Sequence, residues 1–586
     1  MRSQRLGALC LVGVLFVLTL GTGARGASEP VKNPDTFVTL RYGDPESLDP
    51  AWAYDTASTE IVYPNVYEAL IGYDGTVLSH YVPMLATAVP SLANHLVSAD
   101  GLTYTFPIRT GVKFHDGTTM TPEDVRYSML RFMLQDRDGG PSWLLLTPLL
   151  GVASTRDSAG KIVVTYEQAA KAVAVQGDNV VFHLAHPYGA FLSIMAAWSF
   201  VLPKAWAAAH GDWDGNPATW QKYNNPKLQD RYEFDHMNGT GPFTLESWDR
   251  QSKQILLTRN AAYWRKPARL ARVVIRNVSE FTTRRLALQQ GDADLVAVDR
   301  SDQSKVEGLP GVKIEDNLPL LVLQVLQFNW KIDATGNPDV GSGKLDGNGI
   351  PPDFFSDVHV RRAFAYAFDY GTFIRDAYRG KAIQPNGPII QGLLGYTPTA
   401  PVVAFDIAKA TQEFKEAWGG KLWDAGFKFT LTYNTGNSAR QIASEIIKDK
   451  VQAINPKFKI DVRNIQWSTF LGATRAHKGT LYALGWAVDY PDPDDFAAPF
   501  MDSRGTYPPE NSYSNPEADK LVKEGAEATD PAKRKAIYEQ LTKVSSNDVP
   551  YIYEAQPTGF AVMRSWVRGW YYNAVIIQDY YPLFKQ

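Results

Sequence analysis

Cysteine is nearly absent: one residue, Cys10, in a chain of 586. A single thiol cannot close an intramolecular disulfide and cannot build a thiolate zinc cluster. Histidine is also sparse, with nine scattered residues, and the nearest pair, His183 and His186, stands at an apparent strand end rather than on one helix face. With no H-E-x-x-H sequence to help them, no metal ligands and no cofactor are predicted. Excess charge is lacking too, since 59 Lys+Arg against 62 Asp+Glu leave −3 and a pI of about 6.3. Domains that bind nucleic acid usually exceed a pI of about 9, so no nucleic-acid partner is expected. No G-x-S-x-G nucleophile elbow occurs. The stretch 336–344 imitates a phosphate loop, but Pro338 stands where its first glycine belongs and Leu345 replaces the Ser/Thr that would hold Mg²⁺. No catalytic residue is assigned. A secreted hydrolase using two carboxylates far apart in the chain is the rival class, which spacing alone does not address.

Long apolar runs are missing beyond the N-terminus. Arg2 and Arg5 precede an uncharged run at 6–20, followed by the small residues Gly21, Gly23, Ala24, Gly26 and Ala27. At about 1.5 Å per residue this run spans about 22 Å, short of the roughly 30 Å hydrocarbon core. Residues 1–26 are therefore expected to be a cleaved signal peptide of a periplasmic protein. Cys10 lies inside the apolar run rather than after it, so the mature protein is expected to be soluble and not lipid-anchored.

What is abundant is aromatic and apolar material, 12% and 45% of the chain, enough for about three or four domains or subdomains. The class is α/β. Residues 36–42 alternate as a half-buried strand. Thr121-Pro122-Glu123-Asp124 combines an N-cap, an early proline and an acid, predicting a helix through residue 134. Phe427, Phe429, Leu431 and Tyr433 alternate as a strand; Ile442, Ile446, Ile447 and Val451 recur at helical spacing; Phe458, Ile460 and Val462 open a second strand. Such a strand–helix–strand unit implies parallel pairing. Asp530-Pro531 starts a helix expected through residue 541, with a strand at 549–553 after it. The stretches 335–352 and 151–175 read as surface decoration.

The one segment with the makings of a site is Gly485-Trp486-Ala487-Val488-Asp489-Tyr490-Pro491. It sets Trp486 and Asp489 at the end of an apparent strand at 481–486, and Trp467 occupies an equivalent end after the strand that closes at Ile465. In α/β sheets ligands bind outside the carboxyl ends of strands. Two tryptophans and an acid there suit a ligand carrying a cation and apolar groups. The alternative, that Asp489 shapes the turn while Trp486 fills core, stays open at this level. Asp492, Asp494 and Asp495 read as turn and helix-start residues.

Eight sequence pieces, in order, carry a family resemblance: Ser47-Leu48-Asp49-Pro50; Val66-Tyr67-Glu68-Ala69-Leu70; the stretches 100–109 and 111–117; Gly239-Thr240-Gly241-Pro242-Phe243; 259–264; Gly291-Asp292-Ala293-Asp294; and 360–364. The chain resembles the extracytoplasmic solute-binding proteins of the ABC-transporter dipeptide and oligopeptide family over nearly all of its mature length. The resemblance implies a two-lobed periplasmic-binding-protein fold that encloses ligand by hinge closure. Lobe I would comprise 27–72, 201–297 and 553–586, an inserted subdomain 73–200, and lobe II 298–552. It further implies a monomer that captures a small peptide and delivers it to ABC permease membrane subunits, without chemistry. In similar peptide binders the aspartate of G-W-x-x-D-Y pairs with the ligand ammonium, which here is Asp489, followed by Tyr490. Trp467 and Trp486 match the pocket tryptophans, Tyr433 and Asn434 a strand end that offers backbone contacts, and Tyr54, Asp55 and Thr56 the contacts from lobe I. Arg440, Arg475 and His477 are the basic candidates for a ligand carboxylate. Disulfides of some relatives are impossible here, and Ala487 stands where one such cysteine could be. An oligosaccharide, an opine or a metal chelate is the alternative solute.

Overall fold

The computed structural model describes residues 30–157 and 159–586. The expected signal peptide, with Cys10, lies outside them. Two mixed sheets organise the rest. The first has seven strands, in the order Val312–Leu318, Gly559–Arg564, Leu295–Val296, Thr36–Arg41, Arg272–Asn277, Gln254–Arg259 and Phe243–Asp249. The second has six: Ala382–Ile383, Tyr551–Pro557, Val322–Phe328, Leu481–Ala487, Phe427–Asn434 and Phe458–Ile465. Phe427–Asn434 and Phe458–Ile465 run parallel in full register, joined by the helix Ser438–Ile454. Its buried Ala443, Ile447 and Val451 lie against Phe429, Leu431 and Ile460 in one core.

The chain crosses between the sheets twice, at residues 319–321 and at Thr558. Both crossings depart from the lobe limits expected at 297/298 and 552/553. Val312–Leu318 pairs with Gly559–Arg564 in the first sheet, whereas Tyr551–Pro557 pairs with Val322–Phe328 in the second. Register with distant partners decides membership here.

Residues 103–198 form a smaller unit beside the first sheet, with a three-stranded sheet of Thr103–Pro107, Asn179–His183 and Val173–Gln176. Its helix Pro122–Leu134 starts on a full capping box, Thr121 accepting from the Asp124 backbone while the Asp124 carboxylate receives the Thr121 N–H. From this helix the buried Arg131 reaches Asp49 through two bonds of 2.7 and 2.5 Å and also pairs with Asp212. The Ser47–Pro50 motif thus clamps the smaller unit to the first sheet. Glu68 ties its own motif piece to two others, accepting from Thr240 at 2.8 Å, Tyr263 at 2.6 Å and Trp264 at 2.8 Å. At Gly239 the backbones pack so closely that a Cβ would sit 2.0 Å from the Val66 carbonyl oxygen.

Three other expectations change. The helix from Pro531 runs on to Asp548 and ends only where Val549 takes a left-handed conformation; the strand begins at Tyr551. The stretch 335–352 is not mere decoration: Val340 and Ile350 are buried in the core of the second sheet, below a bridge from Gly341 to Gly349. Within 151–175 lies a helix, Tyr166–Ala172, with its own capping box. No helix among the described residues is long and apolar enough to cross a membrane.

Candidate ligand-binding cleft

Between the two sheets lies a cavity of about 400 Å³. One wall comes from the chain after Thr36–Arg41 and contributes Tyr54, Asp55 and Thr56. The other comes from the carboxyl ends of the second sheet's strands and contributes Asn434, Trp467, Trp486 and Asp489. Asn434 and Trp486 stand at the ends of their strands, Trp467 opens a helix and Asp489 sits on the loop beyond, at the edge of an α/β sheet where ligands bind.

The walls touch. Asp489 accepts the Tyr54 hydroxyl at 2.6 Å, and that hydroxyl accepts the Trp143 indole N–H at 2.9 Å. Trp467 donates its indole N–H to Asp55 at 3.0 Å. Asp44 accepts from Gln466 at 2.8 Å and Ser468 at 2.7 Å, and Arg475 pairs with Glu46. The loop bearing Asp489 is held by its own N–H, which donates to Asp495 at 2.9 Å, and by the Val488 N–H on the Leu321 carbonyl.

Asp489 is 8% exposed, and no cation among the described residues is ion-paired with it. Burial therefore holds its carboxyl above the usual carboxylate range, and burial together with the Asp489 charge does the same to Asp495. A cation placed beside Asp489 would favour its ionised form. The cavity also holds an unmatched guanidinium. Arg440 lines the cavity, gives one N–H to Asn434 at 2.7 Å, lies 5.5 Å from the Trp467 ring centroid, and leaves Nε without a partner. The carboxylate that acts on it, Glu554, is itself pushed up to about 8 by burial and makes no ion pair with it among the described residues. By contrast Arg475 is committed to Glu46, and His477 stays outside the cavity.

Two predicted site residues do not line the cavity. Tyr433 packs into the second core, because alternation along Phe427–Asn434 sends it to the face opposite Asn434. Tyr490 is fully buried and donates to Asp494 at 3.0 Å. Asp55 lines the cavity but is largely occupied as the N-cap of the helix Thr56–Ile61. Trp486 both packs and lines, edge-on to Tyr54 at 5.6 Å. Glu510 and Thr506 also line the cavity and escaped sequence reading, since nothing marks the 506–511 stretch beyond its prolines. Among the described residues the side chains close enough to share a metal are His359, Glu413 and Glu416, outside the cavity, where His359 already meets Glu413 at 2.7 Å.

The family model of the bacterial extracellular solute-binding proteins, family 5, middle region, matches residues 80–508. The probable D,D-dipeptide-binding periplasmic protein of Escherichia coli is 26% identical over 577 residues, covering 96% of each chain. A glutathione-binding protein of Salmonella typhimurium is 24% identical and covers 92% of each chain. Among solved structures, a periplasmic binding protein from Helicobacter pylori in complex with the peptide STSA superposes with a TM-score of 0.74 at 22% identity, covering 94% of this chain and 98% of the other. A dipeptide-binding protein from a Pseudoalteromonas species in complex with Met-Leu gives 0.73 at 21% identity, covering 94% and 100%. At these identities the superpositions speak for the two-lobed fold, and the family match speaks for membership. The chain belongs to the bacterial extracellular solute-binding proteins of family 5.

Proposed function

We propose that the protein is the substrate-binding component of an ABC importer and captures short peptides with free termini in its interlobe cleft. The observation that carries this reading is the pairing of unmet charges: a buried carboxylate, Asp489, without a cation, and a guanidinium, Arg440, without an anion, line one cavity. A zwitterion supplies both missing partners. Asp489 receives the α-ammonium and Arg440 the terminal carboxylate, each a charge-assisted bond worth about 1.5 to 3 kcal/mol. Trp467 and Trp486 offer flat apolar walls that make no hydrogen-bond demand on the side chains, while Tyr54 holds Asp489 in position. The volume falls in the range of small-ligand pockets, about 300 to 1,000 Å³. Relatives that bind dipeptides and glutathione support the same solute class.

In this reading lobe I extends to residue 318 and resumes at 559, lobe II spans 322–557, and the two crossings act as the hinge. The protein works as a periplasmic monomer freed of its signal peptide, hands its ligand to the permease, and alters no bond in it. Native mass spectrometry and calorimetry with Met-Leu test this: one peptide bound per chain and recovered intact is the expected outcome. Hydrolysis of the peptide, or no binding by any peptide with a free amine, would overturn it.

A further inference from the structure

With Asp489 and Arg440 given to the ligand termini, one cavity group is left without a task. Glu510, on the short helix Tyr507–Asn511, lines the cavity at 6% exposure, and its Oε2 has no hydrogen-bond partner. The neighbouring Thr506 lines the cavity as well, is also 6% exposed, and its hydroxyl is equally unpartnered. Buried polar atoms are normally satisfied, so two orphans on residues that line one cavity call for an outside partner.

The charge around them defines that partner. Three carboxylates, Glu46, Asp55 and Glu510, meet two guanidiniums, Arg137 and Arg475. Glu46 takes both, Arg475 in a short pair and Arg137 at 3.1 Å. Asp55 is filled by Trp467, Ser58 and the backbone N–H groups of Ala57 and Ser58. Glu510 keeps a 3.5 Å approach from Arg475 Nε and the Thr474 hydroxyl, and neither reaches its Oε2. The surplus negative charge therefore faces the cavity at Glu510. Space is kept for it: Gly139, at φ +68°, would with a Cβ press to 3.0 Å from Glu510 Oε1 and 2.7 Å from Arg475 Nε.

Resting on the peptide reading above, we propose that Glu510 and Thr506 form a second cation subsite, which takes the positively charged side chain of a bound peptide. Such a cation supplies the donor that Glu510 Oε2 lacks. Burial, helped by the Glu46 charge and opposed by Arg475, pushes the Glu510 carboxyl up to about 7, and an arriving cation favours its ionised form.

Calorimetry on the full chain at pH 7.5 tests this with Ala-Lys and Lys-Ala, their norleucine counterparts of equal apolar length, and Ala-Gln. At least one lysyl peptide should bind about tenfold or more tightly than its norleucine partner. That ratio should collapse towards one in Glu510→Gln and narrow in Thr506→Val. Thermal melting reports whether each variant folds, and the wild-type ratio stands independently of them. Equal affinities for lysyl and norleucyl peptides would overturn the subsite while leaving the peptide reading intact, as would a ratio that survives in a folded Glu510→Gln. A glutamine peptide as tight as the lysyl ones would refute the charge requirement. Failure of every peptide to bind removes the underlying reading and the subsite together, a pattern distinct from equal binding.

Discussion

Asp489→Asn isolates charge from geometry. The asparagine carbonyl can still accept the Tyr54 hydroxyl, now 2.6 Å from the carboxylate, and the backbone N–H still reaches Asp495. What disappears is the negative charge opposite the ligand ammonium. A bond assisted by charge contributes about 1.5 to 3 kcal/mol against about 1 for a neutral one, and an ammonium left buried beside a neutral amide bears part of its desolvation unrelieved. The expected loss is about 2 kcal/mol, or about thirtyfold in Kd, for a peptide with a free amine. Its N-acetylated counterpart, already weak, should lose almost nothing. Acidity adds a second readout. Burial raises the Asp489 carboxyl, so the ligand-free cleft is increasingly protonated as pH falls, whereas the bound ammonium favours the ionised form. Affinity for the free-amine peptide should therefore fall away as pH drops below the raised value, about 8, and should stop rising above it, where the peptide's own α-ammonium loses its proton. The neighbours facing this group are Tyr54, held protonated by burial and by the Asp489 charge, and Asp495, also raised by burial and that charge. Asp489→Asn should flatten the slope. Isothermal titration of both peptides between about pH 6 and 8.5 measures all of this. Equal weakening of the free and acetylated peptides, or an unchanged pH slope in the variant, would refute the reasoning.

Closure and folding offer further tests. Trp467→Phe keeps an aromatic wall but deletes the 3.0 Å bond to Asp55 across the cleft, so affinity should drop about fivefold, by about 1 kcal/mol, with small-angle scattering showing a more open ensemble. Unchanged affinity and shape would mean that the bond does not contribute to closure. Arg131→Met removes the guanidinium between Asp49 and Asp212 and leaves two buried carboxylates unpaired, a cost of about 3 to 5 kcal/mol. Thermal melting should show a large loss at pH 8 that shrinks at pH 5, because protonation relieves stranded acids; a pH-independent loss would point to packing alone.

Local structure was legible wherever neighbouring residues decide it. The capping box at Thr121 and Asp124 and the apolar periods through 427–465 each operate within a few positions, and the structure follows them. The motif order marked the family, but its reason appears only in three dimensions, where Glu68 joins Thr240, Tyr263 and Trp264. Tyr433 and Tyr490 were named as site residues by the family resemblance, Tyr433 for backbone contacts. Alternation and a bond to Asp494 send their side chains into the core. Arg440 and Arg475 were equivalent in sequence, and only the position of Glu46 separates the committed cation from the free one.

From the sequence alone came the exclusion of thiol and zinc chemistry, the α/β class, the family, and the strand ends bearing Trp467, Trp486 and Asp489. The tertiary structure decided where the chain crosses between sheets, which acids are already satisfied, and which charges in the cleft stay unmatched. The difference is one of range. Helix caps and apolar periods are settled by residues a few positions apart, whereas Tyr54 and Asp489 meet across 435 positions, and desolvation arises only once the cleft has closed around them.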